Sequence, residues 1–115
     1  MTAMRRIEGE QVLLRITVGE SQRGERGALF LQIIDLLRAE GLAGATAVRG
    51  IAGFGHDRAV HTDTIEVLAE NLPIVIEVVD TAEHVDRIVP RLAASMHGRG
   101  VLTTERAHVV RYAKS

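Results

Sequence analysis

No cysteine occurs in this 115-residue chain, so disulfides, thiolate chemistry and cysteine-bound zinc are excluded. Tryptophan is absent and aromatics make up only 3 % of the residues, so the core has to be built from Val, Ile, Leu and Ala. Charge of either sign is nearly balanced, with a formal net charge of -1, and no basic field points to nucleic acid or an acidic membrane. Few aromatics and little net charge together argue against nucleic acid as a partner. No apolar run approaches the ~20 residues of a membrane span, and direct membrane insertion is not expected. Residues 1–10 lack the apolar middle of a secretion signal, which makes the cytoplasm the expected compartment.

What is present is a clear order of elements. Val12, Leu14, Ile16 and Val18 alternate with Leu13, Arg15 and Thr17, the period of two of a half-buried strand. Residues 20–27 are polar and contain glycine, which suits a loop or a fraying helix start. From Ala28 to Glu40 the positions Leu29, Phe30, Ile33, Ile34, Leu36 and Leu37 form a helical stripe, and Gly41 follows as a C-terminal cap. A second strand is expected over Ala45–Phe54, and a loop over His56–Asn71, in which Thr64–Leu68 reads equally as a short strand or a helical turn. Leu72–Val79 is the most strongly apolar strand, with Glu77 alone marking an exposed face, and its near-continuous apolarity suggests burial on both faces. Asp80 or Thr81 caps a second helix with an apolar face of Val85, Ile88, Val89, Leu92 and Met96. Pro90 inside it predicts a kink or a break, because an interior proline costs ~3 kcal/mol. Gly98 and Gly100 end the helix, and Val101–Val110 is the last strand.

The resulting βαββαβ order predicts an α+β, ferredoxin-like domain, with an antiparallel sheet and two helices on one face. One domain is expected over residues 8–112, with 1–7 and 113–115 as flexible termini. The uncovered face carries Leu13, Val48, Val75 and Val79, too apolar to face water, and predicts a homo-oligomer.

Candidate ligand-binding residues begin with Gly53, Phe54 and Gly55. Glycines at that turn expose backbone N–H groups to an anion, or they serve only the turn. Arg49 either grips a phosphate or pairs across strands with Glu77. Arg58 and His61 are solvated loop residues that become ligand contacts if the loop closes, and His56 belongs with them. Among the five histidines, His56 and His61 cluster with Asp57 and Asp63, but in a loop that fixes no common face. His84, His97 and His108 lie on separate elements, so no metal site is expected within one subunit. Catalysis is not expected either. Ser21, Ser95 and Ser115 have no evident base, Thr103 and Thr104 fit a strand pleat, and Glu66 and Glu70 suit a solvated helical face.

The run Thr46-Ala47-Val48-Arg49-Gly50-Ile51-Ala52-Gly53-Phe54-Gly55 resembles the second strand and Gly-Phe-Gly turn of the PII signal-transduction proteins. Combined with residues 72–80 and with Leu13-Leu14-Arg15-Ile16-Thr17-Val18-Gly19-Glu20, it is similar to the PII-like family known as domain of unknown function 190. That resemblance implies a homotrimer. It implies a small anionic effector, an adenine nucleotide being the candidate, bound in clefts between subunits. Loop 56–71 would be presented to a partner, with a membrane transporter such as a fluoride or other ion exporter as the candidate. It also implies a second ligand segment at Gly98, Arg99 and Gly100. Where PII proteins place a phosphate-holding lysine after that segment, this chain has Val101. Its tail arginines correspond to Arg106 and Arg111. The alternative reading is a structural or metal-binding trimer of the same fold without a nucleotide site.

Overall fold

A computed structural model describes residues 6–55, 58–64 and 70–111. In chain order it contains β1 (Gly9–Gly19), β2 (Arg23–Gly24), β3 (Gly27–Ala28), α1 (Leu29–Ala39), β4 (Thr46–Arg49), β5 (Ala52–Gly53), β6 (His61–Thr62), β7 (Pro73–Asp80), α2 (Ala82–Met96) and β8 (Val101–Val109). The four longer strands form one antiparallel sheet in the order β4-β7-β1-β8, the ferredoxin-like arrangement that the sequence predicts. Two small hairpins, β2–β3 and β5–β6, stand apart from it. Of the expected termini, 1–7 and 113–115, residues 1–5 and 113–115 lie outside the described residues, while Ile7 is buried.

Strand parity decides which side chains meet the helices. Leu14, Ile16 and Val18 of β1 pair with Val78, Ile76 and Ile74 of β7, and all six are buried. They pack against Leu29, Ile33 and Leu37 of α1 and Val85, Ile88, Leu92 and Met96 of α2. Each such side chain contributes up to roughly 1.5–3 kcal/mol by leaving water. The opposite face of β7 is not buried in the single chain. Val75 and Val79 are half-exposed and Glu77 is exposed, so the expectation of burial on both faces is corrected: one sheet face is covered by helices and the other is open.

Several local expectations hold. Gly41, at φ +81°, follows α1, and the carbonyls of Arg38 and Leu37 accept from the N–H groups of Gly41 and Leu42. Those two bonds close a Schellman turn, and Leu42 packs into the core behind it. Thr81 caps α2, its Oγ1 accepting from the His84 N–H at 3.2 Å.

Other expectations are corrected. The break expected at Pro90 does not occur: α2 continues through it, on a face whose buried members are Val85, Ile88, Leu92 and Met96. Burial of that stripe outweighs the local cost of one missing hydrogen bond. The single strand expected over Ala45–Phe54 divides at Gly50 and Ile51. Pro73 lies across from Gly50 and takes its N–H at 2.7 Å, but has no N–H to return, so the ladder stops there. The chain then leaves the sheet, and Ala52–Gly53 pairs with His61–Thr62 instead. Of the proposed Thr64–Leu68 element, residues 65–69 lie outside the described residues.

Asp80 is the buried charged residue of the core, and it joins three elements. Its carboxylate accepts from the N–H of Ala43 at 2.8 Å and of Thr81 at 2.7 Å, tying the end of β7 to the α1–β4 connection and to the start of α2. Asp80→Ala is expected to destabilise the fold by about 2–4 kcal/mol, because two partly buried N–H groups lose a charged acceptor. A urea midpoint unchanged from the parent would refute this. Gly100, at φ +77°, turns the chain from α2 into β8, and a Cβ there would lie 2.6 Å from the Thr17 carbonyl oxygen. Gly100→Ala is expected to cost roughly 1–3 kcal/mol in thermal unfolding, through both strain and contact.

Candidate functional site

At one end of the sheet, β1 finishes while β7 and β8 begin, and three chain turns converge on them. The register places Thr17 beside Val101 and Gly19 beside Pro73. Around these strand ends lies a groove of about 600 Å³. The turn after β5 contributes Gly53, Phe54 and Gly55, with His61 from β6. The α2–β8 turn contributes Gly98, Arg99 and Gly100. The two glycine segments, 45 residues apart between Gly53 and Gly98, therefore line one cavity.

Besides the end of β1, the groove residues that sequence reasoning did not single out include Gln22, Asn71 and Pro73. Gln22 Oε1 accepts from the Gly19 N–H at 2.9 Å, and Asn71 Oδ1 accepts from the Ser21 N–H at 3.0 Å. Asn71 has φ 56°, a left-handed value that asparagine tolerates better than most residues. A polar side chain beside the Leu72-Pro73 strand start was the available signal.

Arg99 is the charged member of the groove. Its Nε donates to the Met96 carbonyl at 3.1 Å, and one terminal nitrogen donates to the Arg23 carbonyl at 2.9 Å. Both acceptors are neutral, and Arg99 forms no ion pair among the described residues. It is half-buried, so this positive charge is partly withdrawn from water beside an open cavity. Such a guanidinium retains donors for an anion.

Arg49 is placed elsewhere. It lies opposite Ile74, on the helix side of the sheet, whereas Glu77 faces the open side. The expected Arg49–Glu77 pair is therefore corrected: Arg49 pairs with Glu20 at 3.2 Å, and it does not line the groove. Glu77 instead meets Arg15 at 2.8 Å, and Arg15 also reaches Glu105 at 3.3 Å, forming a charge ladder across the open face. The hydrogen bond to Glu77 leads the interactions that raise the Arg15 pKa above its ordinary value.

Phe54 is exposed at the groove, and the Arg58 guanidinium sits 5.1 Å from its ring centroid. This cation–π contact is worth about 0.5–1 kcal/mol at an exposed site. His56 and Asp57 lie outside the described residues. Among the described residues, no group of three or more His, Asp or Glu side chains could hold a metal ion. Neither Gly53 nor Gly55 adopts a positive φ. A Cβ on Gly55 would meet nothing within 4 Å.

The fold is similar to solved PII-like structures. One is CPII, a nitrogen regulatory PII-like protein from Thiomonas intermedia, bound to ADP, AMP and bicarbonate; it aligns with a TM-score of 0.68 and 18 % identity over 95 % of this chain and 94 % of that one. CPII bound to ADP and bicarbonate aligns with a TM-score of 0.67 and 18 % identity over 95 % of each chain. In sequence, a UPF0166 protein of Methanocaldococcus jannaschii is 34 % identical over 84 % of this chain and 89 % of its own length. A UPF0166 protein of Aquifex aeolicus is 29 % identical over 85 % of this chain and 91 % of its own. No helix among the described residues is long and apolar enough to cross a membrane. Residues 11–109 match the family model DUF190, described as Uncharacterized ACR, and the chain belongs to that family.

Proposed function

We propose that this protein is a PII-like regulator that binds an anionic effector, an adenine nucleotide, in the groove at the sheet end. The half-buried Arg99, held by neutral carbonyls and lacking an acidic partner among the described residues, carries the reading. It sits where the glycine segments 53–55 and 98–100 converge, in a cavity within the size range of small-molecule sites. Gly55 has open space around it, which leaves room for close approach to its backbone. The PII-like neighbours of the same fold, bound to ADP, AMP and bicarbonate, support the choice of ligand.

The active unit in this reading is a cyclic homotrimer. Leu13, Val75 and Val79 are half-exposed on the open sheet face and Val48 is 55 % exposed, surrounding the Glu77–Arg15–Glu105 ladder. A mixed apolar and charged face of this kind suits a contact with a second copy. The groove would be completed at the subunit boundary. Loop 56–71 would carry the occupancy signal to a partner in the cytoplasm, with an ion transporter as the candidate, and the chain itself would not be an enzyme.

Titration calorimetry with ATP, ADP, AMP and cyclic AMP tests the ligand. At least one is expected to bind, and Gly55→Val is expected to fold normally yet weaken binding by about tenfold or more. Silence across the panel would end the nucleotide reading. Sedimentation of the parent is expected to give a trimer of the 12.5 kDa chain, and Leu13→Glu is expected to give a folded smaller species. A monomeric parent at micromolar concentration would refute the assembly.

A further inference from the structure

The β2–β3 hairpin is held against the groove through the same side chain that faces the cavity. Arg99 reaches across 76 residues of sequence to the Arg23 carbonyl, while its Nε stays on the Met96 carbonyl at the end of α2. On the far side of the hairpin, the Gln22 carbonyl accepts from the Leu29 N–H at 2.9 Å, the first residue of α1. Gln22 also lines the groove and takes the Gly19 N–H with its side chain. A continuous run of hydrogen bonds therefore links the α2–β8 turn, the hairpin and the start of α1.

The hairpin's other ties are the Gln32 side chain of α1, which accepts from the Arg26 N–H at 3.2 Å, and the Gly19 carbonyl, which accepts from the Gln22 N–H at 3.2 Å. Each of its strands is two residues long, and Arg23, Glu25 and Arg26 are exposed. The N-cap of α1, Ala28, supplies no side-chain cap. Backbone bonds so near solvent open readily compared with those of the central sheet.

We propose that residues 22–28 form a second signal-output segment, ordered by effector binding through Arg99. The proposal rests on the reading of the groove as an anion site. Met96 and Arg23 each occupy a donor of Arg99, and the remaining N–H groups can take an anionic oxygen without breaking either bond. A bound anion restricts the side chain, so the bond to the Arg23 carbonyl persists for a larger fraction of the time. The gain is transmitted through Gln22 to the first turn of α1. By linkage, whatever orders the hairpin also tightens effector binding.

Hydrogen exchange of the full chain with and without saturating ADP, beside calorimetry on the same samples, tests this. ADP is expected to slow exchange of the amides in residues 22–29 by about fivefold or more. Arg99→Lys, which keeps the charge but lacks the planar fork, is expected to bind ADP more weakly, and at ADP concentrations that saturate it by calorimetry the hairpin no longer responds. ADP binding to the parent with unchanged exchange in residues 22–29 would overturn the coupling while sparing the groove reading. An undiminished response in Arg99→Lys would also overturn it. Absence of ADP binding to the parent would overturn both.

Discussion

The antiparallel register between β1 and β7 is the constraint from which the remaining structure follows. Leu14 opposite Val78, Ile16 opposite Ile76 and Val18 opposite Ile74 place one continuous apolar surface on one side of the sheet. A slip of one residue would turn that surface outward and bring Arg15 and Glu77 beneath the helices. Such a slip would bury charges at a cost no local interaction could offset. The register therefore determines which face the helices cover, and it leaves Arg15 between Glu77 and Glu105 on the other.

The same register also sets where the groove forms. With Gly19 beside Pro73 and Thr17 beside Val101, three strand ends meet at one rim of the sheet. Pro73 has two consequences there. It ends the β4–β7 ladder for lack of an N–H, and it sends the chain off into the β5–β6 hairpin that carries Gly53, Phe54 and Gly55 to the cavity. Gly100 provides the opposing turn, packed so tightly on the Thr17 carbonyl that no side chain fits. At the other rim, Asp80 fastens the helix layer, so one end of β7 lines the groove and the other anchors α2 and the α1–β4 connection.

Charge placement separates the arginines by role. Arg15 and Arg49 are neutralised by glutamates on opposite faces of the sheet. Arg99 is oriented by carbonyl oxygens, which fix its direction without cancelling its charge. That difference distinguishes a groove residue from arginines of the same type on neighbouring strands. Type and spacing alone do not contain it, which is why Arg49 looked as good a phosphate ligand as Arg99.

The amino-acid sequence by itself determined the order of elements, the core-facing residues of β1, α1, β7 and α2, the Gly41 cap, and the family, and it narrowed the α2 cap to Asp80 or Thr81. These follow from periodicity and local backbone chemistry, which act over a few residues. The glycine segments at 53–55 and 98–100 were also legible, as turns in a familiar pattern. Only the tertiary structure decided that Ala45–Phe54 breaks at Gly50, that α2 passes through Pro90, and that Arg49 meets Glu20 rather than Glu77. It also brought Gln22, Asn71 and Pro73 to the groove. Each of those outcomes depends on a partner distant in sequence, and strand pairing selects such partners by burying whole faces at once rather than by any preference readable at a single position.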